Sequence, residues 1–199
     1  MTLTVPPRPM LDYDDVGQAF ETAIYAFLIS RGLNPTDPDF IDTPARVLRA
    51  LTEFTAGYED DPAVHLSRTF PVTRSDEMII VRDVPFTSLC AHHMLPFSGT
   101  AVIAYLPKHG ARAVGLSKLG RVLDVYARRL QTQETLTVQV TNALDECLET
   151  LGSACIIRAE HGCLSYRGAR KPGTVMITSS YTGLFQADTQ LRSELHTHV

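Results

Sequence analysis

No stretch of the chain approaches the ~20 consecutive apolar residues that cross a bilayer. The opening Met-Thr-Leu-Thr-Val-Pro-Pro-Arg-Pro-Met has no apolar run of the kind a secretory leader carries. Both absences predict a cytoplasmic protein without a membrane partner. Basic residues are not in excess. Lys+Arg number 18 against 22 Asp+Glu, for a net charge of −4, which argues against a general nucleic-acid binder. That balance still leaves room for a small anion held by a few local Arg and Lys. Cysteines are only four, Cys90, Cys147, Cys155 and Cys163. In a reducing compartment such thiols are core residues or metal ligands rather than disulfides. There is no internal repeat and no low-complexity tract. What remains is a chain of 199 residues, 44% hydrophobic and 20% charged, enough for one ordinary domain with a small N-terminal attachment.

Residues 1–12 carry three prolines and little pattern, and read as a mobile tail. Asp14-Asp15 resemble an N-cap with an acidic first turn, ahead of helical spacing at Val16, Phe20, Ala23, Ile24, Phe27 and Leu28 that Gly32 ends. Thr43-Pro44 opens a second helix, to about Ala56. Residues 1–65 are thus predicted to be a tail and helical segment, and 66–199 the main domain. In that domain Met78–Val81, Gly99–Leu106, Cys155–Ile157 and Val175–Ser180 read as strands. Between the second and third of these, Ser117 is predicted to cap one helix. Thr132 is predicted to cap another that runs to about Leu151 and stops at Gly152. The order strand, strand, helix, helix, strand, strand predicts an α+β layer, an antiparallel four-stranded sheet with two helices on one face. Such a sheet has an open edge and an uncovered face that need partners.

Cys90-Ala91-His92-His93 can clamp a metal from one turn through Cys90 and His93, leaving His92 free. In His161-Gly162-Cys163, residues two apart on an extended chain share a face, so Cys163 as a ligand would hold His161 beside the metal. Three protein ligands leave a fourth position for water, the catalytic form of a zinc site, and a non-ligand His can move protons at neutral pH. A structural zinc with ordinary core residues is the other reading of the same spacing. For Cys147 and Cys155 a buried small hydrophobe is the simpler reading. Gly115 to Arg121 opens a helix, where free N–H groups bind phosphate, and Lys118 and Arg121 lie on one side of its first turn. A capped amphipathic helix with solvated cations fits as well. Gln131-Thr132-Gln133-Glu134 is either a cap or a carboxylate able to accept two N–H bonds from a guanine edge. Arg167-Gly168-Ala169-Arg170-Lys171 is a basic loop just after Cys163.

Five segments in one order carry more than these local patterns. Ser88-Leu89-Cys90-Ala91-His92-His93-Met94-Leu95-Pro96-Phe97-Ser98-Gly99 resembles the zinc loop of GTP cyclohydrolase I. Ala104-Tyr105-Leu106-Pro107, Gly115-Leu116-Ser117-Lys118-Leu119, Arg128 to Thr137 and His161-Gly162-Cys163 with Arg167-Gly168 resemble the same family in turn. So do Gly183-Leu184-Phe185 and Arg192-Ser193-Glu194-Leu195 near the end, and the likeness spans about Asp42 to Leu195. The resemblance implies a tunnelling fold, a homodecamer of two pentameric rings, and one Zn2+ per subunit. It also implies conversion of GTP to formate and 7,8-dihydroneopterin triphosphate, a step towards tetrahydrofolate and other pterins. By position it implies Cys90, His93 and Cys163 as zinc ligands, and His92 and His161 as acid/base residues. Glu134 with Gln133 becomes the guanine anchor, and Ser117 a sugar or phosphate contact. Lys118, Arg121 and Arg167 form the triphosphate clamp, and Arg46 reaches a triphosphate in a neighbouring subunit. Two thiolates favour zinc over Fe(II).

One departure stands out. The family usually places Glu where this chain has Ala91. A lost supporting carboxylate costs roughly 10–100-fold in metal affinity or activity, unless another acid such as Glu160 substitutes. Two alternatives follow: a GTP ring-opening enzyme with a variant product, and a catalytically weakened GTP-binding relative.

Overall fold

The computed structural model describes residues 13–71 and 77–198; the tail expected over 1–12 lies outside them. The chain divides into two compact units, Met1–Glu53 and Phe54–Val199. In the first, α1 (Tyr13–Ser30) and α2 (Thr43–Phe54) are the two helices expected from the apolar spacing. Helix α1 begins at Tyr13, so Asp14 and Asp15 fall in its first turn rather than at its cap. Gly17 of α1 faces Leu48 of α2, where an added Cβ would sit 3.4 Å from Leu48 Cδ2, an ordinary van der Waals contact.

The second unit starts with a 3₁₀ turn (Ala56–Glu59), α3 (Pro62–Leu66) and a short strand β1 (Thr69–Pro71). Two long strands follow, β2 (Ile79–Cys90) and β3 (Pro96–Pro107), then β4 (Arg112–Val114), which pairs with β1. Next come α4 (Leu116–Ala127), β5 (Leu130–Gln131), α5 (Gln133–Cys147) and β6 (Thr150–His161). The one-turn α6 (Gly162–Ser165), β7 (Val175–Tyr181), α7 (Gly183–Ala187) and α8 (Thr189–His196) complete the unit. The main sheet has the order β5-β2-β3-β6-β7. Its four long members are antiparallel neighbours as expected, and β5 is a two-residue parallel addition beside Leu89 and Cys90.

The alternation of β3 explains the layering. Ala101, Ile103 and Tyr105 face α4 and α5 with Cys155, Ile157, Leu119, Leu123, Leu136 and Leu144. Val102, Ala104 and Leu106 face the opposite side, where Phe185 of α7 and Leu195 of α8 bury them with Ala154 and Ile156. The expectation of a wholly uncovered second face is therefore corrected. The C-terminal helices cover one end of it, and only the other end, with Thr100, Arg158, Val175 and Ile177, is exposed. Helix α5 meets β7 through hydroxyl pairs, Thr137 with Thr178 at 2.6 Å and Thr141 with Ser180 at 2.8 Å.

Three local expectations also change. The cap of α4 is Gly115, so Ser117 lies in the first turn. Helix α5 stops at Cys147, because the chain turns at Leu148 into β6 from Thr150. Strands β2, β3 and β6 run to 12 residues each, well past their β-branched runs. Exposed polar and proline positions such as Pro85 and Thr87 belong to the ladder without looking like strand residues. Thr132 does cap α5, accepting from the Thr135 amide.

Candidate active site

The site is built where β2 ends. Cys90 is the last residue of that strand, and the chain reverses through Ala91, His92 and His93. The Cys90 amide donates to Leu95 O and the Met94 amide to Cys90 O. Met94 takes a left-handed conformation, φ 51°, uncommon for a side chain of its size and typical of backbone held for a purpose. From the other side β5 pins the turn: the Ala91 amide donates to Gln131 O at 2.8 Å. The segment entering β5 is itself fixed by Arg129. Its guanidinium lies between the rings of Tyr58 and Tyr126 and donates to the carbonyls of Gly57 and Val125.

Cys163 arrives from the far side of the sheet. Phe97 of β3 pairs in register with His161 of β6, so the start of one strand and the end of the other meet. Gly162 then lets α6 come down onto the hairpin: a Cβ there would lie 2.8 Å from Pro96 O. As a result the ligand atoms of Cys90, His93 and Cys163 all lie within 4.8 Å of one another. His92 Nδ1 and His93 Nδ1 are each 3.8 Å from Cys90 Sγ. Burial, and then the neighbouring Cys90, push the Cys163 thiol up. The protein alone therefore disfavours a thiolate at Cys163, and a bound divalent cation would supply the missing positive charge. Two sulfurs and an imidazole at this spacing fit zinc.

His161 is half-buried and stacked on Phe97, ring centroids 4.5 Å apart at 2°. Its Nε2 lies 2.8 Å from Gln133 Oε1. Burial lowers its pKa, opposed by the charge of Glu134 nearby. Glu134 itself is exposed in the first turn of α5. Arg167 is exposed, and close enough for its charge to act on Cys163. Ser117, Lys118 and Arg121 sit together on the first turns of α4, with Ser117 and Arg121 exposed. Arg46 belongs to the first unit, where it pairs with Asp42 at 2.9 Å. The side chain of Gln133 is fully buried and bonded within the protein. Its amide is thus committed to the fold, and any guanine contact falls to its main chain.

Glu160 is not a substitute for a carboxylate at position 91. It accepts from Ser165 Oγ at 2.6 Å and from the Gly173 amide at 3.0 Å, bracing the loop that carries Cys163 and Arg167. These bonds hold its carboxyl below the usual carboxylate range, the Ser165 bond foremost. A depressed folded pKa stabilises the loop above the unfolded pKa of Glu, and that stabilisation is lost as pH falls through the folded value. Amide exchange at Gly173 is accordingly expected to speed up in acid beyond the intrinsic trend in the wild type. Glu160→Ala is expected to be fast at all pH values. Equal protection in both proteins would refute the brace.

Phe97 and Arg129 lie in the segments that carry the resemblance and Glu160 adjoins His161, but their roles come from distant partners: His161 for Phe97, Gly173 for Glu160 and Tyr58 for Arg129.

The four long antiparallel strands are backed by two helices in an α+β arrangement, with a Cys-His-Cys cluster at the end of β2. Over residues 20–199 the chain matches the family model of GTP cyclohydrolase I. It is 44% identical over 178 residues to GTP cyclohydrolase 1 of Listeria monocytogenes serotype 4b (strain CLIP80459), covering 89% of this chain and 93% of that protein. It is 42% identical over 188 residues to GTP cyclohydrolase 1 of Hyphomonas neptunium, covering 94% and 90%. It is also 42% identical over 193 residues to that of Mycolicibacterium gilvum, covering 97% and 92%. A solved structure, the archaeosine synthase QueF-Like in the apo form, aligns with 55% of this chain at TM-score 0.44 and 14% identity. The chain belongs to the GTP cyclohydrolase I family. Among the described residues no helix is long and apolar enough to cross a membrane, and all four cysteines are free.

Proposed function

We propose that this chain converts GTP and water to formate and 7,8-dihydroneopterin triphosphate, with one Zn2+ held by Cys90, His93 and Cys163. The observation that carries the reading is the convergence of those three ligand atoms within 4.8 Å, beside a histidine clamped by Phe97 and Gln133. Bound there, zinc supplies a Lewis acid and lowers the pKa of water to near neutral.

The protein's own groups do the rest. C8 of guanine is a poor electrophile, and a proton placed on N7 makes it a better one. His161 and His92 are the groups able to move that proton. The exposed Glu134 carboxylate accepts the N1–H and N2–H₂ of guanine. Adenine has no such donors, so its binding would leave the carboxylate unpaired. Ser117, Lys118, Arg121 and Arg167 gather the triphosphate, Arg through its planar fork. Residues 66–199 form the catalytic part of a cytoplasmic decamer of two pentameric rings, in which Arg46 of the 1–65 segment reaches a neighbour's triphosphate. Because Glu160 is committed to its loop and Ala91 brings no carboxylate, a slower enzyme of the same reaction is the second reading.

Glu134→Gln tests the substrate assignment. Hydrogen bonds to a charged group contribute ~1.5–3 kcal/mol, so kcat/KM for GTP is expected to fall on the order of 10–100-fold. Unchanged kcat/KM would remove Glu134 from the guanine site.

A further inference from the structure

The side chain of Gln133 decides which nitrogen of His161 carries hydrogen. Its amide nitrogen lies 3.1 Å from each of three acceptors: Ile157 O on β6, Met176 O on β7, and Thr178 Oγ1. A main-chain carbonyl only accepts, so the end of the amide that faces two carbonyls must be the NH₂ end. Turning the amide over would set its oxygen against both carbonyls in a fully buried place, where unpaired polar groups cost most. The hydroxyls agree with this sense. Thr137 donates to Gln133 O at 2.7 Å. Its one proton is thereby used, so in the 2.6 Å contact Thr178 donates to Thr137 and keeps its lone pairs for Gln133. The opposite end of the amide is therefore Oε1, which only accepts and stands 2.8 Å from His161 Nε2. The hydrogen of that bond belongs to Nε2. The ring cannot be turned over without placing a carbon against Oε1, and Phe97 stacked at 2° fixes its plane. Among the described residues Nδ1 makes no hydrogen bond.

We propose that Gln133 is a positioning residue that locks His161 in its Nε2–H form and presents Nδ1 as the atom that exchanges a proton with the substrate. The inference rests on the reading of His161 as a proton carrier. Nδ1 is left as the ring atom that faces no acceptor among the described residues, so an exchange there leaves the bond to Gln133 intact. This role differs from contact with guanine, and the two predict different kinetics.

The test is long-range 1H–15N correlation of the full chain, labelled in its histidine rings and loaded with zinc, with His161 assigned by its loss in His161→Asn. The expected result is one species protonated at Nε2. In Gln133→Met, with one zinc still bound per chain, that single species gives way to a mixture. There kcat falls by roughly 10–100-fold, the scale on which groups that orient a ligand histidine act. KM for GTP stays within about twofold, as for loss of an interaction outside the substrate contacts. The wild-type spectrum serves if the Met variant does not fold, because it reads the tautomer directly. A wild-type spectrum protonated at Nδ1 overturns the inference. So does a Gln133→Met protein in which KM rises and kcat holds. The wild-type spectrum needs no turnover. An Nε2–H signal without formate from GTP therefore contradicts the cyclohydrolase reading and leaves the assignment of the tautomer in place.

Discussion

Cys163→Ser is expected to leave the chain folded, with far less than one zinc per chain and formate release from GTP lowered by about three orders of magnitude. The size follows from the role. A Lewis-acid metal contributes several kcal/mol to a charged transition state, and each ~1.4 kcal/mol is tenfold in rate. The fold should survive because Cys163 is only half-buried on a one-turn helix, and Ser is nearly isosteric. The loop itself is held by other bonds, Glu160 with Ser165 and Gly173, and the Lys171 amide with Leu164 O. Metal analysis, circular dichroism and a formate assay on one preparation separate the effects. A variant that keeps one zinc per chain and its full rate would show that Cys163 is not a ligand. An unfolded variant would show that the cluster is structural rather than catalytic.

Gly99→Val is expected to be the most destabilising single change near the site. Gly99 pairs with Ala159 across β3 and β6. A Cβ added there would lie 1.8 Å from Arg158 O and 2.6 Å from the Ala159 Cα, both backbone. No side chain can move aside to make room, so the ladder must open. Overpacking costs typically 1–3 kcal/mol and occasionally more, and strand separation puts this change at about 3 kcal/mol or above. For a domain of this size that lowers Tm by roughly 6–12 °C, measured at one protein concentration because assembly shifts Tm. The same opening pulls Phe97 from His161, two register steps away, and zinc affinity falls with it. Gly120→Ala is the control. Its Cβ would meet only Val84 Cγ1 at 3.7 Å on helix α4, and the change is expected to be neutral or stabilising by up to ~1 kcal/mol. Equal melting of the two variants would contradict the close approach at Gly99.

The local parts of the site were legible in the residues. The Cys90-x-x-His93 spacing states its own geometry, since one turn brings both ligands together. The extended run expected through His161-Gly162-Cys163 is corrected: β6 ends at His161 and Cys163 lies on the helical turn Gly162–Ser165, so strand alternation does not set its place. What joined the two halves is not local: the β3–β6 register and the approach of Gly162 to Pro96. Only the joint order of the segments, read as a family resemblance, tied them beforehand. Gln133 shows the limit most clearly. Beside Glu134 it reads as a second ligand contact. Its partners are carbonyls of β6 and β7, 24 and 43 positions away, and carbonyls carry no side-chain signature. The covering of the second sheet face was missed for a related reason. Helix α7 is only five residues long and α8 is mostly polar, and each commits one fully buried apolar residue, Phe185 and Leu195, to that face.

The most direct test follows the carbon that the reaction must expel. The zinc-loaded chain is incubated with GTP labelled with 13C at C8, and formate and the pterin product are followed together. Labelled formate appearing in equal amount with dihydroneopterin triphosphate, identified by mass, is the predicted result. Label that stays in the purine, with one zinc and one GTP bound per chain, would contradict the account.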